Sequence, residues 1–192
     1  MTKLIAIATL LFSVIFLSPN VVMGETMDDL VYHKGLYYKK ISDDPFSVSD
    51  IPFSGQVTGE YQGSFEKGKQ EGPWVYNAGN GRLLYKGNYE NGRREGLWIS
   101  FYNNGETASI GNYKDGKKDG LWKDFIDTGV LSNVGNFKAG EYEGLWKRFY
   151  RNGKLMAKGI YSKGKKVGIW EHRYKDGTLM KTVNWKNGKN PK

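Results

Sequence analysis

Apolar and polar residues alternate over short stretches of this chain, and glycine-containing polar turns separate the stretches about every dozen residues. The stretch 146–150 is followed by Asn152-Gly153, by a second alternating stretch from Leu155 to Tyr161, and by a glycine-rich connection to Trp170. A period of two is typical of β-strands, and Asn-Gly between two such stretches is typical of a hairpin turn. No stretch keeps a helical period. The pattern therefore predicts an all-β chain.

The same unit recurs with a fixed period of 24 residues, which indicates a repeat architecture. Each unit carries one tryptophan: Trp74, Trp98, Trp122, Trp146 and Trp170. Three glycine series keep the same step, beginning at Gly68, Gly72 and Gly81. We expect the first two series in the connection between repeats and the third in the hairpin turn. The predicted fold is an elongated antiparallel β-meander of tandem hairpin repeats, forming a twisted single-layer sheet.

Alternation within the strands assigns each side chain to one of two faces of the sheet. A further glycine series, at positions 63, 87, 111, 135 and 159, falls in mid-strand on the face predicted to hold the tryptophans. Glycine weakens a strand unless a neighbouring group covers it. We therefore predict that each tryptophan lies over one of these glycines and that the five tryptophans form the structural core.

The N-terminus does not follow the repeat. Lys3 precedes an apolar or small run from Leu4 to Leu17, and Val22-Met23-Gly24 offers a small-residue cleavage site. This is the pattern of a secretory signal peptide over residues 1–24, with an uncleaved anchor as the alternative. We expect a capping segment over residues 25–60 and tandem repeats over 61–192. The chain has no cysteine, so no lipid anchor on cysteine is possible, and the expected location is periplasmic or secreted.

The charge is unevenly distributed between the two mature segments. Residues 25–60 hold three basic and seven acidic residues, whereas 61–192 hold 25 basic and 13 acidic ones. A basic array favours anionic partners such as a lipid or an envelope glycolipid, although basic turns also serve solubility and block edge aggregation. The candidates for binding an anionic surface are predicted to lie in the turns between repeats: Lys69, Arg93, Arg94, Lys117, Lys118, Lys165 and Lys166.

The face opposite the tryptophans carries a second candidate surface. Ile99, Phe101, Phe125 and Phe149 fall on this face by alternation. If exposed, they would form an apolar stripe for a protein partner or a glycan.

Residues that could support catalysis are sparse. His33 and His172 are the only histidines, and the other copies of the repeat have Tyr76, Ser100, Asp124 and Arg148 at the position of His172. Glu71, Glu95, Asp119 and Glu143 recur just before a repeat glycine, which indicates hydrogen bonding within turns rather than acid–base pairing. We expect no enzyme activity, no metal, no cofactor and no small-molecule substrate, and nucleic acid is not an expected partner.

The repeat unit resembles the variant MORN repeat of bacterial proteins often labelled YwqK-type antitoxins. Two stretches carry the resemblance: Gly87-Asn-Tyr89 with Gly92-Arg-Arg-Glu-Gly96-Leu-Trp98, and Gly111-Asn-Tyr113 with Gly116-Lys-Lys-Asp-Gly120-Leu-Trp122. The resemblance implies a repeat fold with a binding role and without catalytic residues.

Two functions remain open on this sequence. The first is an exported, non-enzymatic scaffold that binds a protein partner or an anionic envelope or lipid surface. The second is an antitoxin-like inhibitor of a secreted or periplasmic effector. A neighbouring effector gene would favour the inhibitor, and salt-sensitive binding to anionic vesicles would favour the scaffold.

Overall fold

The computed structural model describes residues 24–42, 44 and 47–189 of the chain. The predicted signal peptide therefore lies outside the described residues, apart from Gly24. A short 3₁₀ turn at Met27–Asp29 precedes fourteen strands. The strands are β1 (Leu30–His33), β2 (Leu36–Lys39), β3 (Gly55–Val57), β4 (Tyr61–Glu66), β5 (Lys69–Asn77), β6 (Leu83–Glu90), β7 (Arg93–Phe101), β8 (Thr107–Lys114), β9 (Lys117–Phe125), β10 (Leu131–Lys138), β11 (Glu141–Phe149), β12 (Leu155–Ser162), β13 (Lys165–Arg173) and β14 (Leu179–Trp185).

Strands β3 to β14 form one twelve-stranded sheet in which every strand pairs with its sequence neighbours. All pairings between these strands are antiparallel, and β3 and β14 stand at the two ends of the strand order, so the sheet is an open meander. Strands β1 and β2 form a separate two-stranded sheet. The prediction of an all-β meander of tandem hairpins is confirmed. With neighbouring strands about 4.8 Å apart, each repeat advances the sheet by about 9.6 Å.

The turns between repeats contain only two residues each, fewer than the glycine-rich connections that the sequence pattern indicated. Asn91 and Gly92 both have positive φ, 52° and 76°, and the same pair of conformations recurs at Asp115-Gly116 and Lys163-Gly164. Two consecutive residues with positive φ are typical of the type I′ turn that matches strand twist. The strand after each turn therefore begins at once, with Arg93, Lys117 or Lys165.

The glycine series beginning at Gly72 lies inside strands, which corrects its expected place in the connections. In β7, Glu95 pairs with Asn88 and Ile99 pairs with Lys86, so three residues of β7 oppose Gly87 alone. Gly96 adopts φ +64° within this bulge, a conformation that suits glycine. The sequence pattern does not distinguish this bulge from a turn, because glycine with positive φ occurs in both.

The core lies on one face of the sheet, which we call the tryptophan face. The tryptophans of the repeats are buried, with exposed fractions between 1% for Trp74 and 6% for Trp146. A Cβ atom built on Gly111 would lie 2.2 Å from Cδ2 of Trp122, and the other four mid-strand glycines meet their tryptophans equally closely. Each indole therefore occupies the space that a side chain on the neighbouring strand would need.

Tyrosine and phenylalanine rings complete this aromatic layer. The rings of Tyr113 and Trp122 stand edge to face with centroids 5.2 Å apart, and Trp122 Nε1 donates to the carbonyl of Asn112 at 2.9 Å. Edge-to-face pairs of this kind stabilise beyond the area that they bury. A single-layer sheet can thus bury its large side chains because each ring is covered by rings from the adjacent repeats.

The N-terminal segment packs against the first repeat. Glu25 forms a parallel bridge to Val57, and Lys39 pairs with the Glu25 carboxylate. The Tyr37 N–H donates to the carbonyl of Gly68 at 2.8 Å. Leu30 and Phe65 extend the buried cluster that contains Trp74. These contacts place apolar side chains over the start of the array.

Candidate functional site

The seven basic residues singled out in the sequence lie at the starts of strands, not in the turns. Arg93 and Arg94 are the first two residues of β7, and Lys117 and Lys118 are the first two of β9. They remain within two residues of one edge of the repeat array, the edge formed by the inter-repeat turns. We call this edge the basic rim; its members are Lys69, Arg93, Arg94, Lys117, Lys118, Lys165 and Lys166.

The basic rim divides between the two faces because successive strand residues point to opposite sides. Lys69, Arg93, Lys117 and Lys165 are exposed and lie on the face away from the tryptophans. Arg94, Lys118 and Lys166 are half-buried on the tryptophan face. The sequence pattern predicts turns at these positions, and alternation between faces does not apply to turns, so the pattern does not show this division.

The three inner cations each lie over an aromatic ring. Lys118 Nζ is 3.9 Å from the ring centroid of Trp122, and Lys166 Nζ is 4.4 Å from that of Trp170. The guanidinium carbon of Arg94 is 4.6 Å from the ring of Trp98. Such contacts are worth about 0.5–2 kcal/mol each, depending on desolvation. The inner cations therefore help to cover the core as well as presenting positive charge.

Burial lowers the pKa of the Lys118 ammonium, and nearby Arg94 lowers it further against the opposing effect of Asp124. Burial likewise lowers the pKa of Lys166, with Arg148 adding to the effect. Neither lysine has an ion-pair partner within the described part of the chain. An incoming anion would thus meet cations that are partly desolvated and not already neutralised.

A groove of about 310 Å³ lies between two of these cations. Arg94 and Lys118 border it, and the hydroxyls of Ser100 and Ser109, 2.7 Å apart, lie between the flanking aromatic rings. Small residues replace larger ones here, which opens the space. The groove combines positive charge with hydroxyl groups that can donate to an oxyanion.

A ladder of directly paired residues crosses the tryptophan face from β4 to β14 and changes character along its length. It begins with Tyr61, Tyr76 and Tyr85, continues with Ser100, Ser109, Asp124 and Asn133, and ends with Arg148, Ala157, His172 and Lys181. Burial lowers the pKa of His172, and Lys166, Lys181 and Arg148 lower it further. The C-terminal half of the tryptophan face is therefore strongly positive.

The opposite face, which we call the leucine face, exposes different apolar residues from those expected. Ile99, Phe101, Phe125 and Phe149 are all half-buried. The exposed apolar residues stand at the centre of each bulge, between glycine and tryptophan: Leu97 (51%), Leu121 (49%), Leu145 (46%) and Ile169 (64%). The repeating Gly-x-Trp triplet contained this signal, because strand alternation places its middle residue on the face opposite the tryptophan once the triplet is known to lie inside a strand.

The leucine face also has a groove of about 480 Å³ near its C-terminal end. Leu145, Phe149, Leu155, Ile160 and Ile169 line it together with the stems of neighbouring charged residues. The surface is thus predominantly apolar at this point.

The recurring carboxylates have a structural role. Glu95 accepts from the backbone N–H of Asp115 at 2.9 Å, and Glu71, Asp119 and Glu143 accept from the equivalent turn N–H groups. Each carboxylate thereby ties one inter-repeat turn to the turn before it. They form neither an acid–base pair nor a metal cluster, and no group of metal-binding side chains is found over the described ranges. None of the helices described is long and apolar enough to span a bilayer.

Three segments of the chain, residues 94–115, 142–163 and 166–187, match a family model described as a MORN repeat variant. The matches start at equivalent positions of the 24-residue period, and they cover strand pairs β7–β8, β11–β12 and β13–β14. No match is found among curated proteins. The chain is therefore a repeat protein with MORN-like units, a kind of repeat that serves as a non-catalytic scaffold.

Proposed function

We propose that this protein is an exported, non-enzymatic scaffold whose basic rim binds an anionic envelope or lipid surface edge-on. The observation that carries the proposal is the alignment of cations along one edge. Arg93, Lys117 and Lys165 start their strands on one face, and their neighbours Arg94, Lys118 and Lys166 start them on the other. Cations from both faces of the sheet therefore lie along one edge, where both rows can contact the same flat anionic surface.

Charge balance along the rim supports this orientation. The only ion pair among the seven rim residues within the described ranges joins Arg93 to Asp115, with nitrogen and oxygen 3.6 Å apart and both side chains exposed. An exposed pair of this type contributes little and exchanges readily with another anion. Glu141 and Tyr142 replace the two cations in one repeat, and Gln70 replaces the inner cation in the first, so the outer row of the rim has a single interruption.

Vesicle binding tests the proposal with a matched control. Arg93, Lys117 and Lys165 are replaced by glutamate in one variant; Lys86, Lys123 and Lys147, from the middle of strands on the same face, are replaced in the other. Both variants change the net charge equally. We expect the wild-type protein to bind phosphatidylglycerol vesicles in a salt-sensitive way, and only the rim variant to lose most of that binding.

Equal losses from the two variants would show that net charge alone matters. An absence of wild-type binding to phosphatidylglycerol vesicles at low ionic strength would exclude the proposed surface. Phosphatidylcholine vesicles report any contribution from apolar contact. Thermal melts of both variants should stay close to that of the wild type, since all six side chains lie away from the buried core.

Export is the second part of the proposal. Glu25 already pairs with Val57, so a chain that begins at Glu25 keeps every described strand. Sequencing the N-terminus of the protein recovered from the producing cell should identify a residue near Glu25. A cytosolic protein that retains Met1 would contradict export.

A further inference from the structure

We propose that the leucine face is a docking surface for an amphipathic α-helix that carries acidic residues beside its apolar stripe. This site is separate from the basic rim and does not depend on the binding of an anionic surface. The proposal rests on three features of the leucine face: a repeated exposed apolar position, a spacing that fits a helix, and a line of lysines of which all but Lys158 lack an ion pair in the described structure.

The exposed apolar position recurs in every repeat. The residue between glycine and tryptophan is Pro73, Leu97, Leu121, Leu145 and Ile169 in the five copies, and none is polar. Aligning the chain with itself thus shows a position that stays apolar although it is about half exposed. Exposed asparagines, Asn112 and Asn136, pair with Leu97 and Leu121 and separate the leucines, so the stripe is a row of spaced apolar side chains. A solvated position carries mostly polar residues, so a position that stays apolar in all five copies indicates a surface that is covered by a partner.

The spacing of the stripe fits a helix better than an extended strand. Successive leucines stand two strands apart, about 9.6 Å, whereas residues seven apart in an α-helix are separated by about 10.5 Å. Same-side residues of an extended strand repeat every 6.6–6.8 Å, roughly, and do not match. A helix of about 20 residues, inclined slightly to the stripe, would therefore span Leu97 to Ile169.

Charge complementarity gives the partner's second property. A ladder of paired residues beside the stripe contains Lys86, Lys123, Lys147 and Lys158. Lys158 pairs with Glu171 at 3.1 Å, whereas Lys86, Lys123 and Lys147 have no ion pair in the described structure. On the other side of the stripe, Glu95 and its equivalents are already bonded to turn amides. The unpaired charge is positive, so the partner is acidic.

A designed peptide tests the site directly. The probe is a fluorescent 21-residue peptide (about six helical turns) with leucines on one heptad stripe, glutamates beside it and alanines elsewhere. We expect anisotropy to show saturable binding at about 0.15 M salt, and circular dichroism to show helix formation on binding. Replacing Leu121 and Leu145 by serine should weaken binding about tenfold or more.

Matched controls separate this site from general stickiness. Leu179→Ser removes an equally exposed leucine from outside the stripe and should leave affinity unchanged. Lys123→Glu with Lys147→Glu should weaken binding, whereas the rim variant used for vesicles should not. The same peptide with lysine in place of glutamate should not bind.

The proposal is overturned by any of three results. The first is no binding of the acidic heptad peptide to a folded wild-type protein. The second is equal binding of a peptide of the same composition rearranged into strict alternation, which would remove the preference for a helix. The third is unchanged affinity after Leu121→Ser and Leu145→Ser in a variant whose melting curve matches the wild type.

Discussion

Individual tryptophan and glycine residues hold each repeat to the next through one close contact. Trp122 is only 3% exposed, and its indole fills the space above Gly111. The two residues lie on neighbouring strands, β9 and β8, so the contact is tertiary although it joins residues close in sequence. The same pair recurs five times, which makes it the elementary packing unit of the array.

Trp122→Ala should lower the free energy of unfolding by about 3–5 kcal/mol, because it removes a fully packed aromatic side chain and leaves a cavity. Chemical denaturation followed by circular dichroism measures the loss. Replacement of the exposed Tyr174 by alanine is the control and should cost far less. A Trp122→Ala protein as stable as the wild type would mean that the indole is not part of the core.

Gly111→Ala should also destabilise the fold, by about 1–3 kcal/mol, because the new methyl group overpacks the indole. The cost should nearly vanish when Trp122 is already alanine, since the group that the methyl meets is then absent. This double-mutant cycle isolates the contact. Additive losses would place the strain of Gly111→Ala elsewhere, for example in the strand backbone.

His172 should make stability depend on pH in a narrow window. Its pKa is lowered in the fold by burial and by the charges of Lys166, Lys181 and Arg148, so the unfolded chain takes up the proton first. The contribution of His172 to the free energy of unfolding is fully present above the ordinary histidine pKa of about 6.5 and is lost as the pH falls through and below that value. His172→Gln should therefore flatten the change in melting temperature between about pH 7.5 and about pH 5.5.

The carboxylates give a separate signal at lower pH. The pKa values of Glu171 and Asp176 are lowered by hydrogen bonds, first to Lys158 and to Thr178 respectively. Their contribution to the free energy of unfolding is lost only as the pH falls below the ordinary carboxylate range of about 4.

A His172→Gln protein that keeps the full change in melting temperature between about pH 7.5 and about pH 5.5 would show that a group other than His172 is responsible.

At the level of elements, each hairpin is joined to the next through its turns. The Gly116 N–H donates to the carbonyl of Arg94 at 2.9 Å, and the N–H of Asp115 donates to the carboxylate of Glu95 at the same distance. Equivalent bonds recur along the rim. They fix the register of successive two-residue turns and keep the basic side chains aligned.

Glu95→Ala should cost about 0.5–1.5 kcal/mol, the usual net value of a hydrogen bond. Glu90→Ala removes a neighbouring exposed glutamate that forms no ion pair within the described ranges, and serves as the control. Hydrogen exchange should show faster exchange of the Asp115 amide in the first variant alone. Equal stability of the two variants would mean that the turn bond contributes nothing.

The whole molecule is an open sheet with two different ends. The N-terminal segment packs over the first repeat, and at the other end Trp170 faces Val183 where the earlier tryptophans face glycine. A glycine is needed wherever the next tryptophan must lie over the strand, so Val183 leaves no space for a further repeat of the same kind. The two faces and the rim between these ends provide separate binding surfaces on one scaffold.

Much of this architecture follows from the sequence because it repeats. The 24-residue period, strand alternation and Asn-Gly turns determine the all-β meander, the tryptophan face and the pairing of each Trp with a bare glycine. These are local or nearest-neighbour properties, which a periodic sequence displays five times over. The tying of turns by Glu95 and its equivalents could be inferred for the same reason.

The tertiary structure decided how those residues are presented. Glycine with positive φ serves both turns and bulges, so only the strand pairing showed that Gly96 lies in a bulge within β7. Leu97 is therefore a strand residue, and alternation places it on the solvent side, opposite Trp98. The same register starts β7 at Arg93, which sends Arg93 and Arg94 to opposite faces. Exposure and facing depend on where each strand begins relative to its neighbours, and that is set by hydrogen bonding between strands rather than by the order of residues within one of them.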